Sequence, residues 1–237
     1  MNDEIKEIIW NEVWFGINPK NQIVSIIYDN FLDDEAPEET ELLKEIDRVI
    51  ELKKENENSW EQREETDFYK LSRVFDNLHL DGIVAIHNAG YTQSDCLDSV
   101  SEVLSQIDKE KIIGYCFYHE QDIERLIPEF SSNEIKQNKG ELLLGFGSIN
   151  ESDSNSVKVA KTIIGRLKQF NLDVNWDGDL NKRIEVKDFL WQKKLDNNDW
   201  TGYRSVFLLN EIIPKQNIPE TKQSKKGWKF WKKTTNR

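Results

Sequence analysis

The spacing of hydrophobic residues changes character near Gly82. Before it, apolar positions recur every three to four residues. Ile5, Ile8, Ile9 and Val13 share one helical face over residues 3–16, with Trp10 and Trp14 on its edges and Gly16 at its end. Asn18-Pro19 reads as an N-cap followed by proline in the first helical position. The helix it opens runs to about Leu32 and buries Ile23, Ile26, Ile27 and Phe31. The acidic run Asp33 to Glu41, which contains Pro37, predicts a loop. A third helix puts Leu42, Leu43, Ile46, Val49 and Ile50 on one side, and its polar end, Glu51 to Ser59, is expected to fray or lean into solvent. A fourth opens at Thr66-Asp67, turns Phe68, Leu71, Val74, Phe75 and Leu78 inward, and stops at Asp81-Gly82.

After Gly82 the apolar residues gather into short continuous runs. Residues 83–88 and 112–118 are nearly all apolar, as expected of strands covered on both faces, and Glu141 to Ser148 predicts a third strand. Between the first two lies a helix with Leu97, Val100, Val103, Leu104 and Ile107 inward. A short helix with Ile123, Leu126 and Ile127 inward ends at Pro128, and another spans Asn155 to Phe170. Leu172 to Trp176 and Ile184 to Val186 predict two strands of a hairpin turned at Asp177-Gly178. Val206 to Leu209 fits a last strand or part of a helix.

The fold class expected from this order is α/β (α+β over the whole chain): an N-terminal helical subdomain, then a mixed, largely parallel sheet in the order β-α-β-α-β-α-β-β. The divisions are residues 1–60 for the helical subdomain, 61–195 for the α/β core, 196–213 for an extension and 214–237 for a basic aromatic tail expected to be flexible. Trp10 and Trp14 should pack the helical part onto the core, because two tryptophans on one helix are costly to leave exposed.

Charge adds an asymmetry. The 237 residues carry a net charge of -12, but residues 214–237 hold eight Lys/Arg against one Glu, a net of +7, so the other 213 carry -19. Such a body repels nucleic acid and favours basic partners. With 32% charged residues and a mean hydropathy of -0.71, no run approaches a membrane span, and the first residues lack the pattern of a signal peptide. The expectation is a cytoplasmic protein. Its two cysteines, Cys96 and Cys116, then read as buried thiols rather than a disulfide, and no C-x-x-C pair suggests zinc.

One set of residues resembles a known family. It begins with Thr66-Asp67, Leu71, Phe75, Leu78, Gly82-Ile83-Val84-Ala85 and Asn88, and continues in Gly114-Tyr115, Phe117-Tyr118-His119 and Gln121-Asp122. Gly145-Phe146-Gly147, Val174, Trp176-Asp177-Gly178, Arg183-Ile184 and Trp191 complete it. Over roughly residues 60–194 the chain is similar to the bacterial domain-of-unknown-function family DUF6891, which implies a shared fold and no established activity. Members can carry a cysteine cluster in the loop after the first strand. Here that loop holds Cys96 alone, so no metal carries over.

In an open parallel sheet, ligands bind beyond the carboxyl ends of the strands. That rule would gather His87, Asn88, Tyr91 and Asp95 with His119, Glu120, Gln121 and Asp122, and with Gly147, Ser148 and Asn150. The catalytic candidates are His119 as a general base, oriented by Asp122 or Asp95, together with His87. The plainer reading is that Asp122 complements a helix N-terminus and His119 is a satisfied strand-end group. Asn88, Tyr91, Gln121, Trp176, Asp177 and Arg183 are binding candidates, with Trp176 expected in the core. His87 and His119 match no metal-ligand spacing, and Gly145-Phe146-Gly147-Ser148 lacks the pattern of a phosphate loop and suggests a tight strand-to-helix turn. No metal and no cofactor is expected.

The function these features favour is a non-catalytic interaction protein that binds or neutralises a basic protein partner. The alternative is a small-molecule enzyme, a hydrolase, using the His119 edge. The tail Lys222 to Lys233 interleaves lysine with Trp228, Phe230 and Trp231, which suits weak contact with an anionic membrane surface, attraction to nucleic acid, or folding back on the acidic body.

Overall fold

The computed structural model describes residues 1–31, 37–60, 62, 65–130 and 135–212. Residues 33–36 of the predicted acidic loop and the whole tail therefore lie outside the described residues, and α3 begins inside the predicted loop, at Glu39. Eight α-helices and five strands are described: α1 (Asp3–Phe15), α2 (Lys20–Asn30), α3 (Glu39–Glu57), α4 (Asp67–Leu80), β1 (Ile83–Ile86), α5 (Gln93–Ser105), β2 (Gly114–Phe117), α6 (Glu120–Glu124), β3 (Lys139–Ser148), α7 (Asp153–Gln169), β4 (Val174–Asn175), β5 (Ile184–Leu190) and α8 (Gly202–Ile212). The protein is mixed α+β. Val206 to Leu209 belongs to a helix, α8.

The sheet order is β1-β2-β3-β5-β4. Only β1 and β2 run parallel. The pairs β2–β3, β3–β5 and β4–β5 are antiparallel, so the expectation of a largely parallel sheet is overturned. The cause lies after β2. Ile123, Leu126 and Ile127 are buried, and the Trp10 indole donates to Pro128 O at 2.6 Å. These contacts hold the chain against α1 at the carboxyl end of β2. It enters β3 from that same end instead of crossing back.

Two apolar clusters cover the two faces of the β1–β2 pair. Ile83, Ala85, Cys116 and Tyr118 join a large cluster with α1–α4 and α7, whereas Val84, Ile86 and Phe117 join a smaller one with α5 and α8. This is the period-two alternation of strands buried on both sides. Leu97, expected inward on α5, is 38% exposed, and Cys96 takes the buried position. β1 is an edge strand, and side chains satisfy its free backbone. Ala85 N donates to His79 Nε2 at 3.2 Å, and Ser205 Oγ donates to Ala85 O at 2.7 Å.

Gly145 and Gly147 lie within β3, not in a turn. A Cβ at Gly145 would fall 2.5 Å from the Phe117 ring, and one at Gly147 would meet the Tyr115 ring. Those two rings stack with centroids 5.9 Å apart, so glycine at both positions makes room for an aromatic pair on β2.

The end of α3 does not lean into solvent. The helix continues to Glu57, and Lys53 is fully buried. Its ammonium donates to Val13 O at 3.0 Å and Trp14 O at 3.2 Å, carbonyls of the last turn of α1. Burial, reinforced by the charge of Lys193, brings the Lys53 pKa down to about 7. Trp191, 1% exposed, donates its indole N–H to Trp14 O and Phe15 O at 3.3 Å. Gly16 then reverses the chain with φ +69, and a side chain there would strike Lys53.

Candidate functional site

The parallel pair β1–β2 delivers the loops after both strands to one edge of the sheet. β3 does not join them. Ser148 pairs with Gly114, the first residue of β2, so Gly147, Ser148 and Asn150 lie at the opposite edge. Ser148 there accepts from Ser152 N and Ser156 Oγ at the start of α7.

At the shared edge His119 stands as N-cap of α6, and its backbone N–H reaches Asp122 Oδ2 at 3.4 Å. Asp122 is fully buried. Its carboxylate accepts from Arg183 Nη1 at 2.8 and 3.1 Å and from Arg125 Nη2 at 3.1 Å. Arg183 Nη1 also donates to His119 Nε2 at 2.7 Å. A guanidinium has only donors, so Nε2 is the acceptor and the ring proton sits on Nδ1. That nitrogen lies 3.1 Å from Asp122 Oδ2, off the line of a hydrogen bond. Partial burial, opposed by Asp122 and aided by Arg183 and Arg125, holds the His119 pKa below the usual imidazole value.

The other candidates disperse. β1 and β2 pair Ile86 with Phe117, so His87 continues the face of Tyr118 and turns into the core. It stacks on Phe75 with centroids 4.5 Å apart, and Nδ1 sits 3.0 Å from Tyr118 Oη. Burial depresses its pKa well below the ordinary value. Asn88 takes φ +47, and its Nδ2 donates to Glu120 Oε1 at 3.2 Å. Burial raises the pKa of Glu120. Asp95 closes a capping box with Thr92 on α5. Tyr91 and Gln121 are exposed. Asp177 accepts from Asp179 N and pairs with Lys182 in the hairpin, where Gly178 has φ +92. Trp176, just past β4, is half-buried and packs edge-on against Phe146. Among the described residues, no three histidine, cysteine or carboxylate groups assemble as metal ligands. Cys96 and Cys116 are free and buried.

A family model described as "Domain of unknown function (DUF6891)" matches residues 1–195. The chain belongs to the DUF6891 family. The match takes in α1–α3, so the DUF6891 region includes the helices that precede the stretch of resemblance read from the motifs. Comparison with curated proteins and with solved structures found no match.

The DUF6891 chain also forms two grooves, and the binding candidate Asn88 lines the second of them. One, of about 330 Å³, opens between α1 and the segment after α6, lined by Glu7, Asn11, Glu124, Ile127, Pro128, Glu129 and Phe130. Partial burial and the charge of Glu7 raise the Glu124 pKa. The other, of about 210 Å³, lies between the end of β1, α5 and the start of α8. Neither is lined by His119, Asp122 or Arg183. A polar residue on the outer face of a helix carries no sequence mark of facing a groove. The acidic groove was therefore visible only as general acidity, and Arg125 not at all. Among the described residues, no helix is long and apolar enough to cross a membrane.

Proposed function

We propose that this protein binds rather than catalyses, and that the groove between α1 and the segment after α6 receives basic side chains of a protein partner. The supporting observation is its lining. Glu7, Glu124 and Glu129 converge over Ile127, Pro128 and Phe130, and the described residues supply none of the three carboxylates with a hydrogen bond or ion pair. Burial, and after it the charge of Glu7, raise the Glu124 pKa. An arriving ammonium or guanidinium would offset both, while its aliphatic stem covers the apolar floor. The net -19 of residues 1–213 would steer such a partner in, and neutralising a basic toxin-like protein in the cytoplasm is one form of this role. The hydrolase alternative draws less support, because Arg183 occupies the Nε2 lone pair that a general base must offer.

Titration of the full chain with a fluorescent lysine-rich peptide tests the reading. Glu7→Gln/Glu124→Gln/Glu129→Gln should weaken binding by about tenfold and flatten its salt dependence. A charge-matched control at exposed positions outside both grooves, Glu4→Gln/Glu55→Gln/Glu110→Gln, should bind like the parent. Equal loss in both variants would leave only general acidity and remove the groove from the account.

A further inference from the structure

Helix α8 is amphipathic with one unpartnered face. Ser205 and Leu209 are buried against the sheet and α5, and Ser205 is bonded to Ala85 O. On the opposite side Tyr203 and Phe207, one turn apart, are each 64% exposed, the largest exposure of any large hydrophobic residue described. Tyr203 also forms one wall of the groove at the end of β1. Ile86, Ala89 and Val103 supply apolar lining there, and Ser99, Glu102 and Gln106 supply polar lining from α5. The face is thus aromatic with an acidic neighbour, and it is directly continuous with the segment that follows α8.

We infer that the basic aromatic segment Lys222 to Lys233 of the same chain folds back onto this face, with Trp228, Phe230 and Trp231 against Tyr203, Phe207 and the α5–α8 groove. Reach and charge select this occupant. Fifteen residues separate Ile212 from Trp228, enough for roughly 50 Å when extended. Doubling back along the eleven residues of α8 needs only about 16 Å. The segment brings Lys225, Lys226, Lys229, Lys232 and Lys233 to a body of net -19. That same body repels an anionic lipid surface, so the chain itself is the better partner for its tail. The contact is independent of the acidic groove between α1 and the segment after α6.

The test uses the full chain with a nitroxide on Ser224→Cys. Cys96 and Cys116 are buried, which keeps the label at the new thiol. Amide signals of residues 99–106 and 201–207 should lose intensity through proximity to the label. Tyr203→Ser/Phe207→Ser should restore them, and because both side chains are exposed the variant should unfold at the parent's temperature. Freed of its seat, the tail of that variant should bind phosphatidylserine vesicles more tightly than the parent's does. Intensity loss centred on Glu7 and Glu124, or loss unaffected by the double substitution, overturns the inference. So does an absence of loss with equal vesicle binding by parent and variant, which would make the tail a lipid-binding segment.

Discussion

Arg183 donates from Nη1 to Nε2 of His119 at 2.7 Å, from the hairpin residue just before β5 across to the N-cap of α6. The same nitrogen contacts both oxygens of the buried Asp122. One guanidinium thus ties the hairpin to the start of α6, the segment on which the catalytic alternative would depend, and holds it as structure.

Arg183→Ala should therefore act on stability. It leaves the buried Asp122 carboxylate with Arg125 as its remaining cation. Breaking a buried pair from one side costs 3–5 kcal/mol, and since the Arg183 side chain is 32% exposed, a loss of about 2 kcal/mol is expected. Urea unfolding at neutral pH checks this. Asp122→Asn in the Arg183→Ala background should recover part of the loss.

Acid should destabilise the protein through its buried histidines. Burial lowers the His79 pKa to about 4, and that of His87 falls well below its ordinary value. The unfolded chain therefore takes up both protons first. Stability is fully present above the unfolded value near 6.5 and declines as pH falls through it, by up to about 1.4 kcal/mol per pH unit for each histidine. Thermal unfolding between pH 7 and pH 4.5 should show this fall, and His87→Phe should make it shallower.

Glu12 should act in the opposite direction. It is 5% exposed, and burial raises its pKa to about 7 against the hydrogen bond from Asn18 Nδ2. The folded state holds this proton after the unfolded state has lost it, so stability declines as pH rises from about 4.5 to 7. Glu12→Gln keeps an acceptor for Asn18 and removes the titration. It should stabilise the protein by about 2 kcal/mol at pH 8 and leave it nearly unchanged at pH 4. Denaturant unfolding at the two pH values separates this from a uniform packing effect.

Gly145→Ala should be costly although it adds one methyl group. The new Cβ would lie 2.5 Å from a Phe117 ring that is 1% exposed and stacked on Tyr115. Overpacking of this kind costs about 1–3 kcal/mol. Gly165→Ala, on α7 with nothing within 4 Å of its Cβ, is the control and should be neutral or stabilising.

The sequence by itself determined where most helices and strands lie, because a period of 3.6 or a short apolar run is a local property of the chain. The short run Val206 to Leu209 became a helix only through its packing on the sheet and α5. It also determined the closure of α4 at Asp81-Gly82, where φ +76 is a glycine conformation. The direction of β3 was decided only by the tertiary structure. An apolar strand reads alike in either sense, and the contacts of Leu126, Ile127 and Pro128 with the helical layer set the end from which the chain returned. That choice sent Ser148 and Asn150 away from His119 and divided the expected site. Tertiary structure alone also buried Lys53, since a lysine in a polar helical stretch looks solvent-facing until the carbonyls ending α1 meet its ammonium. His87 and His119 look equivalent in sequence, each closing an apolar run. A one-residue offset in parallel register put one in the core and the other beneath Arg183, because the side-chain period of a strand is two and the register belongs to the pair.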